Sequence, residues 1–238
     1  MPRQSLTAAL ATSVLLATGC DQTTSPGGGD PALISSRVLD VAVCDPTAGG
    51  FTPGSTNPWF PLPVDQVWEY EGEEEGTPVE LTITVLDQTE VVAGVTTRVV
   101  WEHEVEDGVV IEDSWNYFAQ TADGTVCYFG EAVDIYHEDG SITHEGAWRA
   151  DDDPTFGPGI MMPADPQVGD RFQMEIAPGI AEDEGRVVGT GPATVEAGHF
   201  PETIRLRESN PLDGDKGHKV FAHGVGLVID GPVELVDY

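Results

Sequence analysis

Apolar and polar residues alternate strictly in many short segments after about residue 57. Val79, Leu81 and Ile83 alternate with glutamate and threonine, and Phe172 and Met174 alternate with arginine, glutamine and glutamate. A period of two with one polar face is typical of antiparallel strands that are buried on one side. Asp-Gly pairs separate the segments and favour tight turns, and no stretch sustains the pattern of an amphipathic helix. The sequence therefore predicts an all-β body of antiparallel strands.

The strand pattern also repeats along the chain. The segment around Trp68 matches the segment around Phe172, and the segment around Phe118 matches the one around Phe221. An Ala-Gly pair recurs between them, and the matched positions are 103 or 104 residues apart. Motifs in the same order at a nearly constant offset indicate duplication, although β proteins also share such patterns by chance. We expect two similar meander halves that together form a barrel- or sandwich-like body.

The first twenty residues have the layout of a bacterial export signal. Arg3 precedes an apolar stretch over residues 6–16, which is shorter than the roughly 20 residues that cross a bilayer. Residues 15–20 resemble a bacterial lipobox, whose cysteine is lipidated and becomes the mature N-terminus, although Ala17 stands where leucine is usual. We predict lipidation of Cys20, and the alternative is an ordinary signal peptide beside a chance cysteine.

These features divide the chain into five segments. The residues after Cys20 are polar and rich in glycine, which predicts a flexible tether. The predicted segments are a signal peptide (1–19), a lipid anchor and flexible tether (20–56), a first β half with a hairpin (57–150), a crossover (151–166) and a second β half (167–238).

The charge balance narrows the choice of partners. The chain carries 42 Asp and Glu against 10 Lys and Arg, which gives a formal net charge of -32. Such a surface repels nucleic acid, so we predict no nucleic-acid partner. The charge suits solubility in salty surroundings, or a cationic partner. Hydrophobic residues make up 39% of the chain, which is enough for a packed core.

Three cysteines occur in the chain. If Cys20 carries lipid, Cys44 and Cys127 remain, and an even remainder in an oxidising compartment predicts a disulfide. The bond would join the segment before the body to one of its strands. The alternative is two unpaired thiols.

Three motifs resemble those of a group of uncharacterised bacterial secreted proteins and lipoproteins. Residues 60–70, which read Phe-Pro-Leu-Pro-Val-Asp-Gln-Val-Trp-Glu-Tyr, resemble the opening motif of that group. Residues 128–131 and 222–228 resemble its later motifs, so the resemblance covers most of the chain after the tether. One departure is Asp65, where glycine is usual; the second half keeps Gly169 at the matching position. The resemblance implies an envelope protein with a β-rich body and implies no activity.

Two histidines beside tryptophans are the first candidates for a site. His103 shares an apolar register with Trp101, and His144 shares a face with Trp148. These four residues are the predicted pocket, and inward-facing histidines of this kind either line a pocket or bind a transition metal. The alternative is that His103 is a structural residue whose side chain points into the packed face of the sheet. We expect this role for His103 and do not expect it to bind a metal.

Acidic clusters raise the question of calcium. Asp151, Asp152 and Asp153 offer hard oxygen ligands and are the best placed, but they lack the alternation of an EF-hand loop. With so many carboxylates, such clusters arise by chance, so calcium is a weak candidate and no other cofactor is predicted. The sequence contains no Gly-x-Ser-x-Gly, His-Glu-x-x-His, Walker or dinucleotide-binding motif.

The sequence leaves two functions open. The first is a non-catalytic lipoprotein of the cell envelope, anchored by lipid on Cys20 at the periplasmic or outer surface, whose β body binds an unknown ligand or envelope partner or has a structural role. The second is a β-fold hydrolase that acts on an envelope or extracellular polymer. A deep cleft with two carboxylates at catalytic separation would favour the hydrolase, and an apolar pocket would favour a ligand carrier.

Overall fold

A computed structural model describes residues 36–238. The described chain forms seventeen strands and two short 3-10 helices, Val41–Cys44 and Pro46–Ala48. The strands are β1 (Arg37–Val38), β2 (Thr52–Pro53), β3 (Val67–Glu74), β4 (Thr77–Val92), β5 (Val95–Glu106), β6 (Val109–Gln120), β7 (Val126–Tyr136), β8 (Ile142–Thr143), β9 (Trp148–Arg149), β10 (Gly157–Met162), β11 (Asp170–Gln173), β12 (Glu175–Ile176), β13 (Glu184–Val195), β14 (Gly198–Ser209), β15 (His218–Ala222), β16 (Gly226–Asp230) and β17 (Val233–Asp237).

The strands follow one another around the body in chain order. β3 to β7 pair antiparallel with their neighbours, and β11, β13, β14, β15 and β16 do the same in the second half. β17 lies between β16 and β3 and joins the halves into one sheet. The sheet is not closed, but its ends approach each other, because β10 pairs with β7 and also with the short β12. The predicted all-β fold with two meander halves is confirmed.

The same turn introduces each half. The N–H of Asp65 donates to the carbonyl oxygen of Val85, and the N–H of Gly169 donates to that of Val187, both over 2.8 Å. Both turn residues have a positive φ, 66° at Asp65 and 101° at Gly169. The turns lie at the repeat offset predicted from the sequence, and this is the geometry expected of duplicated halves.

Aromatic residues from both halves meet in the core. Trp68 and Phe172, which the repeat matches, are both buried, and so are Phe118 and Phe221. Phe60 lies between the latter two, with ring centroids 5.2 Å from Phe118 and 6.2 Å from Phe221. The loop before β3 therefore packs against equivalent strands of the two halves.

The segment just before the body lies on its surface. Residues 36–56 belong to the predicted tether of residues 20–56, yet β1 pairs with β11 and β2 pairs with β6. Arg37 binds Asp170 over 2.7 Å, and the predicted disulfide between Cys44 and Cys127 is confirmed, with a Cα–Cα distance of 5.7 Å. These contacts hold residues 36–56 against the strands, so this part of the chain is not a free linker.

The predicted signal peptide, Cys20 and the first part of the tether lie outside the described residues. Within residues 36–238, no helix is both long and apolar enough to cross a membrane.

Candidate functional site

A cavity lies inside the body, where strands of both halves converge. Its volume of about 80 Å³ is several times the roughly 10–15 Å³ that a cavity needs to hold one water molecule. The loop before β3 and the strand β10 contribute partly exposed wall residues, Phe60 and Met161. The first half supplies mainly apolar and aromatic walls, which include Trp68, Tyr70, Ile83, Val100, Phe118 and Tyr128.

Four acidic residues line this apolar cavity. Glu102 comes from β5, whereas Glu175, Asp183 and Glu208 come from the second half. The last three are 5%, 8% and 4% exposed, so they are removed from bulk water. A buried carboxylate without compensation is among the most costly groups in a protein interior, so this cluster departs from ordinary core construction.

One lysine faces these acids. The Nζ atom of Lys219 lies 3.8 Å from Glu208 Oε1 and 3.5 Å from Oδ2 of Asp230, an acid that does not line the cavity. Burial lowers the pKa of Lys219, but the attraction of Asp230, Glu208 and Glu102 outweighs this effect and raises it above its ordinary value. Lys219 is therefore charged, and its single charge cannot neutralise all the acids that surround it.

Burial also shifts the acids themselves. It raises the pKa of Glu102 and of Glu208 to about 7, although the charge of Lys219 lowers both. Burial raises the pKa of Asp183 to about 6. The pKa of Glu175 is raised well above its usual range, first by burial and then by the charge of Glu131. The cavity thus holds carboxyl groups that titrate near neutral pH and are acceptors or donors of protons there.

Three of the carboxyl oxygens in the cavity have no hydrogen-bond partner within the protein. They are Glu175 Oε2, Asp183 Oδ1 and Glu208 Oε1. Most buried polar atoms are satisfied, so each exception in a native fold indicates a bound water, an ion, a proton or a ligand. In their ionised form all three are acceptors, so the cavity then lacks hydrogen-bond donors.

The aromatic residues of the cavity wall need no hydrogen-bond partner from a ligand, because their polar atoms already bond to the protein. Trp68 Nε1 donates to the carbonyl oxygen of Val225 over 3.1 Å, and the Tyr70 hydroxyl donates to that of Leu227 over 3.0 Å. The Tyr128 hydroxyl donates to Asn116 over 2.6 Å. These rings therefore offer apolar faces and edges to the cavity.

The structure places His103 elsewhere. Glu102 points into the cavity, so His103, the next residue along β5, lies on the opposite face. His103 Nδ1 and Trp101 Nε1 both lie 2.8 Å from Asp113 Oδ1, and Tyr136 donates to the other oxygen of Asp113. The inward direction expected for His103 was wrong, because the interior-facing register at this end of β5 carries glutamates and the apolar-looking register is the outer one.

The other two members of the predicted pocket do not join His103. His144 Nδ1 lies 2.9 Å from Asp134 Oδ1, and its side chain is 67% exposed. Trp148 is 1% exposed and packs edge-on against Tyr128, with ring centroids 5.5 Å apart. The four residues therefore form no common pocket: two share a half-buried acid, one is at the surface and one is in the core.

The predicted calcium residues are engaged separately. Asp151 accepts a hydrogen bond from the N–H of Ala93, whereas Asp153 accepts from the N–H and hydroxyl of Thr155. Hydrogen bonds from Thr155 lower the pKa of Asp153. Across residues 36–238, no group of three histidine, cysteine, aspartate or glutamate residues is arranged to hold a metal ion.

Comparison of the chain with models of protein families, with curated protein sequences and with solved structures finds no match in any of the three.

Sequence reasoning missed the cavity acids because it assigned every charged residue in an alternating strand to solvent. Val99 and Val100 are both buried, on opposite faces of β5, so apolar character does not identify the interior face there. Lys219 was the available signal. It shares its register with Phe221 and is one of only two lysines in the chain, and a lone lysine on an apolar register needs buried acids beside it.

Proposed function

We propose that this chain is an exported, lipid-anchored protein of the bacterial envelope whose β body binds a small molecule without chemical conversion. The cavity carries the proposal. It combines apolar and aromatic walls with a few convergent polar groups, which is the usual construction of a small-molecule site. The signal-like N-terminus, Cys20 and the disulfide support an extracytoplasmic location, because disulfides persist in oxidising compartments.

Hydrolysis of a polymer is the second candidate. Glu102 and Glu208 favour it, because carboxyl groups with a pKa of about 7 suit general acid or base catalysis near neutral pH. The cavity volume of about 80 Å³ argues against it, because a polymer chain needs a long open groove. Binding is therefore the better supported function.

Native mass spectrometry of protein purified from its own host tests this proposal. We expect a small-molecule adduct that disappears on denaturation. Met161→Trp should reduce the adduct by filling the cavity from its partly exposed wall, whereas Val91→Trp, at a residue 58% exposed, should leave it unchanged. A native mass equal to that of the lipidated chain alone, together with no stabilisation by an extract of host envelope, would contradict the proposal.

A further inference from the structure

We infer that the cavity binds an organic cation, a protonated amine carried on a short apolar chain. This inference rests on the proposed binding function and adds the chemical class of the ligand.

The buried polar atoms that the cavity leaves without a hydrogen bond share one chemistry. Glu175 Oε2, Asp183 Oδ1 and Glu208 Oε1 are buried, line the cavity and lack a hydrogen-bond partner in the protein. Every one of them is a carboxyl oxygen, so the complementary ligand group is a donor, and a positive charge on that group would favour the ionised form of acids whose pKa burial raises. An ammonium group has three N–H donors and one charge, which meets both requirements.

Acidic groups outnumber cationic groups in the cavity wall. Four acids line the cavity against the single ammonium group of Lys219. Lys219 lies 3.8 Å from Glu208, and its closer partner is Asp230 at 3.5 Å, outside the cavity lining. Among the described residues, Lys219 is at ion-pair distance from Glu208 and Asp230, and not from the carboxyl groups of Glu175 and Asp183.

A metal ion suits the cavity less well than an organic cation. Within the described part of the chain, no three acidic, histidine or cysteine residues are arranged for metal coordination. The remaining wall is also unsuited to a hydrated ion, because it consists of side chains such as Ile83, Phe118 and Phe221. Aromatic rings whose polar ends are occupied favour cations with apolar substituents through their negative faces.

The cavity volume sets the size of the ligand. A volume of about 80 Å³ restricts the ligand to a small molecule, on the order of six non-hydrogen atoms at most. Pentylamine, 1-pentanol and pentanoate are therefore suitable probes. They share one carbon chain and one size, and they differ in carrying a positive charge, no charge or a negative charge.

The test is calorimetric titration of the folded protein with each probe at about pH 8, above the pKa of about 7 of Glu208. We expect pentylamine to bind about tenfold or more tightly than 1-pentanol, the factor associated with one charge-assisted hydrogen bond, and pentanoate not to bind. Glu175→Gln should weaken pentylamine about tenfold and leave 1-pentanol unchanged. Glu234→Gln, at an exposed glutamate of β17, is the matched control and should change neither affinity.

Glu208→Gln is a second variant in case Glu175→Gln does not fold, as judged by circular dichroism; it should weaken pentylamine in the same way. Equal affinities for pentylamine and 1-pentanol would contradict the inference that the ligand is an organic cation, but would not contradict the proposed binding function. Binding of none of the three probes would overturn both. If calcium or magnesium binds, pentylamine does not bind and Glu175→Gln abolishes the metal binding, then the ligand class is a metal ion and not an organic cation.

Discussion

Replacement of Glu104 measures how much a buried acid lowers the free energy of unfolding. It lies two residues beyond Glu102 on the same face of β5, opposite Glu112 of β6. Burial, and after it the negative charges of Glu106, Asp230, Glu74 and Glu102, together raise its pKa to about 8. Glu104 is not part of the cavity lining, so its replacement separates stability from binding.

The sign of the effect follows from proton binding. The pKa of Glu104 is about 8 in the folded protein and near its ordinary value of 4.5 in the unfolded chain. Between these values the folded state binds more protons, so this group makes the free energy of unfolding fall as pH rises. One pKa unit corresponds to about 1.4 kcal/mol, which sets an upper limit of about 5 kcal/mol, and we expect about 2–4 kcal/mol after local relaxation.

Glu104→Gln removes this titration. The variant should match the unaltered protein at about pH 4 and be about 2–4 kcal/mol more stable at about pH 9. Urea denaturation across this range provides the measurement. Glu80→Gln, an exposed glutamate on the neighbouring β4, is the control and should differ from the unaltered protein by less than about 0.5 kcal/mol throughout. A gain that is equal at both ends of the pH range would refute the argument.

Three further predictions concern the remainder of the chain. Replacing Cys44 and Cys127 by alanine should lower the free energy of unfolding by about 4–5 kcal/mol in the chain-entropy model, since the bond closes a loop across 83 residues; urea denaturation of the two forms measures the difference. Gly169→Asp should destabilise by about 1–2 kcal/mol, because φ is 101° there, whereas Asp65→Gly at φ 66° should change stability by less than about 1 kcal/mol; equal urea midpoints for the two variants would contradict this. Mass spectrometry of the mature protein should find a lipidated Cys20 at its N-terminus, and a free amino terminus at another residue would exclude the lipid anchor.

The parts of the fold predicted from sequence depend on local regularity. Alternation identified the strands, and the repeat around Trp68 and Phe172 gave the two meander halves, because both signals come from residues close together in the chain. The disulfide followed from the number of cysteines and the expected compartment, not from geometry.

The site was not predictable in the same way, because it depends on which face of each strand is enclosed. Periodicity separates the faces of β5 but does not state which one points inward. Trp101 and His103 made one face look like the core, whereas Glu102 and Glu104 line or approach the interior. Which face of β5 is enclosed depends on its pairing with β4 and β6 and on the packing of the second half against the first. The contacts between the halves join residues that are distant in sequence.

The two halves contribute different chemistry to the cavity although they share a strand order. The first half supplies mostly rings and aliphatic walls, and the second supplies Glu175, Asp183, Glu208 and Lys219. Packing alone does not favour this division, because apolar residues of similar volume at the acidic positions would avoid the desolvation of several carboxylates. Departures from consistent core construction concentrate at functional sites, where their cost is offset by binding. If the acids bind a cationic ligand, Glu175→Gln should raise the free energy of unfolding near pH 8 and weaken pentylamine binding. A variant that is less stable than the unaltered protein and also binds pentylamine more weakly would indicate a structural role for this carboxyl group.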